Sequence, residues 1–119
     1  MKLSTAIREG AKKRPQCHGV LYLHSSDQTN TSGVVESCAI GAGLEGAGVI
    51  NPESLNYPCR PKYRLYEHFE GEFIEALVSC PHSPGCPIRG QIRSMMEHLN
   101  DNHLWTREDI ADWLESIGY

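Results

Sequence analysis

Four residues near the C-terminal end of the sequence have the types and the order of a metal-ligand set. Cys80 and Cys86 bracket a loop rich in Pro and Gly, and His98 and His103 follow after a short amphipathic stretch. The Cys-x5-Cys spacing is slightly wider than usual, whereas His-x4-His lies inside the usual range. Two thiolates and two imidazoles make a closed tetrahedral zinc site. We therefore expect these four side chains to hold a structural Zn²⁺ ion.

The two histidines can meet only if the helix that carries them changes course. Five residues on a straight helix rotate a side chain by about 140°, so the helix must end or tighten between His98 and His103. The segment Asn100-Asp101-Asn102 favours such an end. The sequence leaves two substitute ligands open, namely His82 inside the loop and Cys59 at a distance.

A catalytic metal is the alternative to a structural one. Four protein ligands leave no position for an activated water, and the H-E-x-x-H pattern of zinc proteases is absent. Glu97, beside His98, is the carboxylate best placed to act as a base in a zinc-dependent hydrolase. The sequence therefore leaves enzymatic activity open but favours a protein that is not an enzyme.

The first 50 residues predict two helices and a strand. The segment from Ser4 to Arg14 predicts a capped helix, residues 19–24 a strand, and residues 37–48 a helix of small residues. Gly41-x-Gly43-x-x-Gly46 matches the dinucleotide-binding fingerprint. Asn51-Pro52, however, stops any helix within a few residues, so we interpret these glycines as sites of close packing.

The remaining residues predict a connector followed by three helices. Residues 51–66 contain three prolines and predict an irregular connector. Apolar residues then recur at helical spacing in three sets. The first predicted helix runs up to Ser79 and contains Tyr66, Phe69, Phe73, Ile74, Leu77 and Val78, and the second contains Ile88, Ile92, Met95, Met96 and Leu99. The third contains Ile110, Trp113, Leu114 and Ile117, is capped by Thr106 and is ended by Gly118. The fold class is a single mainly α domain over residues 1–119 with a minor β element, divided into 1–50, 51–66 and a zinc-stapled half at 67–119.

Charge is distributed unevenly along the 119 residues. The net charge is −4, but residues 1–14 carry a local +4, and the remainder, including an acidic last helix, carries −8. A basic segment can contact phosphates or an acidic partner. The candidate contacts to nucleic acid or to a partner are Lys12, Lys13, Arg14, Arg89 and Arg93. The order of two Cys and two His makes sequence-specific DNA binding an alternative function.

Composition favours a soluble protein of the cytoplasm. The N-terminus has no apolar segment typical of a secretory signal, and no apolar run approaches the ~20 residues that span a bilayer. Five cysteines without such a signal favour reduced thiols. We also expect no membrane partner.

Three segments of the chain resemble a known group of proteins. They are His98-Leu-Asn-Asp-Asn-His103-Leu-Trp-Thr-Arg-Glu-Asp-Ile-Ala-Asp-Trp-Leu-Glu115, Leu3-Ser-Thr-Ala-Ile-Arg-Glu-Gly-Ala and Ser37-Cys-Ala-Ile-Gly-Ala. Together they resemble small bacterial and bacteriophage-associated proteins of uncharacterised function. The resemblance implies a zinc-finger-like C-terminal half and a bacterial cell or an infected host cell as the setting. That group has a Cys-x2-Cys pair where this chain has a wider one. Our hypothesis is a zinc-binding adaptor module with a protein partner.

Overall fold

The structure, a computed structural model, describes residues 1–54, 65, 68–69, 75–82 and 85–119. It is mainly α with a minor β content, as the sequence predicts. The elements in chain order are α1 (Leu3–Ala11), β1 (Tyr22–Leu23), β2 (Glu36–Ser37), α2 (Ala39–Gly46), β3 (Leu77–Ser79), β4 (Arg89–Gln91), α3 (Ile92–Asp101) and α4 (Arg107–Ser116). Among these described residues, no helix combines the length and the apolar composition needed to cross a bilayer.

The closest helix packing joins α1 to α2. A Cβ atom built on Gly46 would overlap the carbonyl oxygen of Ala6, and one built on Gly10 would overlap that of Ala42. Because glycine has no Cβ, the two backbones can touch at this crossing. The predicted helix of small residues is thus confirmed. Gly46 permits this helix contact and Gly41 lies close to the carbonyl of Leu21, which agrees with close packing rather than with a dinucleotide-binding fingerprint.

The first sheet is shorter than predicted and rests on α2. Tyr22 and Leu23 pair antiparallel with Ser37 and Glu36, so the strand covers two residues of the predicted 19–24. The hydroxyl of Tyr22 donates to the carbonyl of Gly41 at 2.7 Å in the interior. This bond ties the small sheet to the start of α2.

The second sheet corrects two predicted helices. Residues 77–79 belong to strand β3, not to the end of a helix, and residues 89–91 form β4, so α3 begins at Ile92 and not at Ile88. The strands pair antiparallel, with Val78 opposite Gly90. In a strand of three residues, the alternation of apolar and polar side chains is too short to distinguish the strand from a helix in the sequence. Most of the rest of the predicted 66–79 helix and most of the 51–66 connector lie outside the described residues.

The ends of α1 and α4 test the capping predictions. The Oγ1 of Thr106 accepts from the N–H of Asp109 at 3.1 Å, and Gly118 ends α4 with a φ of +97°, both as predicted. The predicted cap at Ser4 is wrong, because α1 starts one residue earlier. Ser4 is buried within its first turn, where its hydroxyl donates to the carbonyl of Tyr119 at 2.9 Å.

Candidate metal centre

A β-hairpin presents the two cysteines. Cys80 directly follows β3, and its N–H donates to the carbonyl of Ile88 at 2.9 Å, which extends the strand pairing to the cysteine. Gly85 adopts a φ of +91° immediately before Cys86. A left-handed backbone suits glycine, so the chain can reverse here without strain. The strand pairing and this reversal aim both thiols at one end of the hairpin.

The end of α3 brings the two histidines together. The helix ends at Asp101, within the segment that the sequence predicts as its end. The N–H groups of Asn102 and His103 both donate to the carbonyl of His98, at 2.9 and 3.3 Å. The second bond spans five residues, so the last turn is wider than an α-helical turn and does not tighten. This wide turn carries His103 back towards His98.

All four predicted ligands converge on one point. One ligand atom each from Cys80, Cys86, His98 and His103 lies within 4.8 Å of the other three. Metal–ligand distances of about 2.3 Å to sulfur and 2.0–2.1 Å to nitrogen give tetrahedral ligand–ligand separations of about 3.4–3.8 Å. The Sγ of Cys86 lies 3.4 Å from the Nε2 of His98. The cluster is therefore close to the size of a tetrahedral metal site.

The surroundings of the cluster shift the pKa of His103 and that of Cys80 with opposite effects on metal binding. Burial, aided by the neighbouring His82 and His98, lowers the pKa of His103, which keeps its imidazole neutral. The Nε2 of His103 is buried and has no hydrogen-bond partner, as expected of a nitrogen that faces a metal. Burial and the hydrogen bond to Cys86 raise the pKa of the Cys80 thiol, so a metal must displace its proton.

His82, the substitute ligand inside the loop, is not part of the cluster. His82 stacks on His103, but its Nδ1 accepts a hydrogen bond from the indole N–H of Trp105 at 3.1 Å. That lone pair is directed at Trp105 and is unavailable to a metal. Cys59 lies outside the described residues.

Glu97, the candidate catalytic base, lines a cavity that the clustered residues do not share. It lines a cavity of about 130 Å³ together with Gly19, Cys38 and Asn100, and none of the four clustered residues lines that cavity. The structure therefore gives no support to the hydrolase alternative.

The basic residues do not all remain available to phosphates. Arg14 is about nine-tenths buried and forms a two-pronged ion pair with Glu45, with N–O distances of 2.7 and 2.8 Å. Lys12 pairs with Glu9 at the surface. Lys13 is exposed after α1, Arg89 is exposed on β4, and Arg93 is half-buried on α3. Because Arg14 is held by Glu45, only part of the predicted basic set can contact a partner.

Sequence reasoning missed a buried amide that fixes α3. Asn100 is 1% exposed. Its Oδ1 accepts from the side chain of Gln16 and from the N–H of Ala39, at 2.8 and 3.1 Å, and its Nδ2 donates to the carbonyl of Cys17 at 3.0 Å. These bonds tie the end of α3 to the N-terminal half. They span more than 60 residues, so nothing local in the sequence could reveal them.

Arg107 is a second residue that the sequence did not single out. It is 6% exposed, and burial lowers its pKa. Its guanidinium donates to the Oγ of Ser37 at 2.9 Å, to the carbonyl of Arg14 at 2.6 Å and to the carbonyl of Ala11 at 3.3 Å. Two of these acceptors follow or end α1, where carbonyl oxygens lack helical partners and favour a cation.

Comparison with known proteins adds no assignment. A scan against models of protein families, a search of curated proteins and a search of solved structures each find no significant match. A Cys₂His₂ group positioned to hold a metal ion is thus the functional feature on which an assignment can rest.

Proposed function

We propose that this protein binds one Zn²⁺ ion through Cys80, Cys86, His98 and His103, and that the ion stabilises the fold. The convergence of these four ligand atoms within 4.8 Å is the observation that supports the proposal. Zinc is favoured over other metals because two thiolates and two imidazoles in tetrahedral arrangement match its preferences.

A structural role follows from the number of ligands. Four protein ligands saturate a tetrahedral ion and leave no position for water or substrate. The ligands come from a β-hairpin and from the end of α3. The four ligand residues are themselves only half-buried, so the metal would contribute folding energy that apolar burial does not supply.

The domain so stabilised would serve as a binding or adaptor module for a protein partner. The uneven surface charge supports this role, since Glu108 and Asp109 are exposed on α4 while Lys13 and Arg89 are exposed elsewhere. The resemblance of three segments to bacterial and bacteriophage-associated proteins favours the cytoplasm of a bacterial cell or of an infected host cell as the location.

Metal content tests the zinc site directly. We would measure metals per chain by elemental analysis of untagged wild-type protein, Cys80→Ser and His103→Ala. We expect one zinc per wild-type chain and a loss or strong reduction in both variants. Matched controls replace a cysteine and a histidine outside the cluster, Cys38→Ser and His18→Ala, and should keep the full zinc content. Wild-type protein without zinc, or site variants that retain it as the controls do, would refute the proposal.

DNA binding is a second candidate, favoured by one observation. The order β3–β4–α3, with a cysteine at the end of one strand, a second before the next and histidines at the end of the helix, is that of a Cys₂His₂ finger. In such fingers the residue before the helix and the third and sixth helical residues contact bases. Here these are Gln91, Ser94 and Glu97, of which only Ser94 is exposed. Gln91 and Glu97 are half-buried, and Glu97 carries a negative charge that would repel phosphates, so the adaptor role is the better supported one.

Salt-dependent binding to random-sequence duplex DNA separates the two candidates. A DNA-binding protein should lose affinity steeply with salt, and Lys13→Ala with Arg89→Ala should flatten that dependence. Affinity and salt slope that do not change in the double variant would exclude phosphate contacts by these residues.

A further inference from the structure

A layer of aromatic side chains lies directly behind the candidate metal ligands. The rings of His82 and His103 are stacked, with centroids 3.9 Å apart and an angle of 17° between the planes. On another side, His103 meets the ring of His98 nearly at right angles, at 4.6 Å. His103 is therefore held between one face contact and one edge contact, neither of which uses its buried Nε2.

His82 is itself held in place by Trp105. The indole N–H can only donate, and it donates to the Nδ1 of His82 at 3.1 Å. The two rings are tilted at 6.3 Å, so the contact is a directed hydrogen bond and not a stack. The bond fixes the plane of the His82 ring, and that plane sets the face against which His103 rests.

Trp105 is firmly attached to the rest of the domain. The backbone N–H of Trp105 donates to the carbonyl of Leu99 at 2.9 Å, and the backbone carbonyl of Trp105 accepts from the side chain of Gln16 at 2.8 Å. Leu104, between His103 and Trp105, adopts a left-handed φ of +54°, which is unfavourable for a residue other than glycine. The backbone thus accepts local strain where it turns both neighbouring side chains towards the cluster.

We propose that Trp105 is a positioning residue for the metal site, acting through His82 on the ligand His103. This inference rests on the proposed zinc binding. Residues that orient the ligands of a metal commonly account for a 10- to 100-fold effect on metal affinity. Here the orientation passes through the hydrogen bond from Trp105 to His82 and the stacking of His82 on His103, and neither Trp105 nor His82 would touch the ion.

The test measures zinc affinity in Trp105→Phe by competition with a chelator, and its Co²⁺ absorption spectrum. Phenylalanine retains an apolar ring but lacks the N–H. We expect zinc affinity to fall by about 10- to 100-fold. The thiolate-to-Co²⁺ charge-transfer absorption should keep the intensity of two cysteine ligands. The matched control is Trp113→Phe, since Trp113 packs against the core from α4. Its affinity should equal that of the wild type.

His82→Phe separates positioning from a general loss of folding. This variant keeps a ring to stack on His103 but lacks the acceptor for Trp105. It should weaken zinc binding about as much as Trp105→Phe does, and the double variant should be no weaker than either single one, because all three lack the same hydrogen bond.

Two results would overturn the inference while leaving zinc binding intact. One is a Trp105→Phe affinity that matches Trp113→Phe. The other is a double variant whose loss equals the product of the two single losses, since independent effects exclude a shared bond. Wild-type protein that takes up no zinc in the first titration would overturn both this inference and the proposed function.

Discussion

Replacing Gly46 with alanine should destabilise the protein, although alanine is the better helix former. The new Cβ would overlap the carbonyl oxygen of Ala6 and would lie 2.7 Å from the nitrogen of Gly10 and 2.8 Å from the carbonyl carbon of Ala6. Real Cβ atoms essentially never come within 3.0 Å of such atoms. All three obstructing atoms belong to the backbone of α1, so the two helices must separate to make room.

The expected magnitude follows from two opposing effects. Alanine gains at most about 1 kcal/mol over glycine in a helix. Overpacking costs about 1–3 kcal/mol and more where backbone must move. We expect a net loss of about 2 kcal/mol in the free energy of unfolding, or about 8 °C in Tm for a chain of this size.

Gly43→Ala is the matched control within the same helix. Its Cβ would lie 3.3 Å from the Cδ1 of Leu3 and 3.4 Å from the Cγ1 of Ile7, which are side-chain atoms that can shift. This variant should be as stable as the wild type or up to about 1 kcal/mol more stable. Urea denaturation followed by circular dichroism, with zinc in excess, measures both. Equal stability of the two variants would refute the packing role assigned to the Gly41-x-Gly43-x-x-Gly46 segment.

Two further predictions concern buried polar groups. Arg107→Met should lower the free energy of unfolding by about 3 kcal/mol, because it leaves buried carbonyls near the end of α1 without donors. The control is Arg89→Met at an exposed position, and urea denaturation should show a much larger loss of stability for the Arg107 variant. Equal losses in the two variants would contradict this prediction. Burial raises the pKa of Cys17 to about 12 and that of Cys38 to about 11, whereas both thiols ionise near 9.0 in the unfolded chain. The unfolded chain therefore releases these protons first as pH rises. The stability that the two neutral thiols contribute should be complete below pH 9 and should be lost as pH rises towards 11–12. Cys38→Ser keeps a side-chain acceptor for the N–H of Gly41 but does not ionise. In this variant, the stability measured by urea denaturation should decline less steeply between pH 9 and 11. An unchanged decline would count against burial of the thiol as its cause.

The four candidate metal ligands could be found from the sequence because their chemistry is local. Only a few residue types bind zinc, and their spacing limits how they can meet. The turn between His98 and His103 was likewise predictable, since Asn and Asp favour helix ends. The four ligands and the helix end at Asp101 therefore lie where the sequence places them.

The hairpin beneath the site was not predictable in the same way. Leu77 and Val78 continue an apolar spacing that suits a helix, whereas the structure pairs them with Gln91 and Gly90. Strand pairing depends on residues brought together across the loop, so tertiary context overrides the local pattern. The partners of Asn100 and Arg107 are more distant still, and they became visible only once the chain was folded.

The way α3 is enclosed bears on how this unit can be reused. In a modular finger, strand, strand and helix fold around their own metal, so copies can be joined in tandem and exchanged between proteins. Here α3 buries Ile92, Met95, Met96 and Leu99 against the domain, and Asn100 bonds to residues 17 and 39. An excised 75–105 fragment would expose that apolar face and lose those bonds. The candidate zinc unit is therefore a part built into one protein rather than a portable cassette, and duplication or grafting would have to carry the N-terminal half with it.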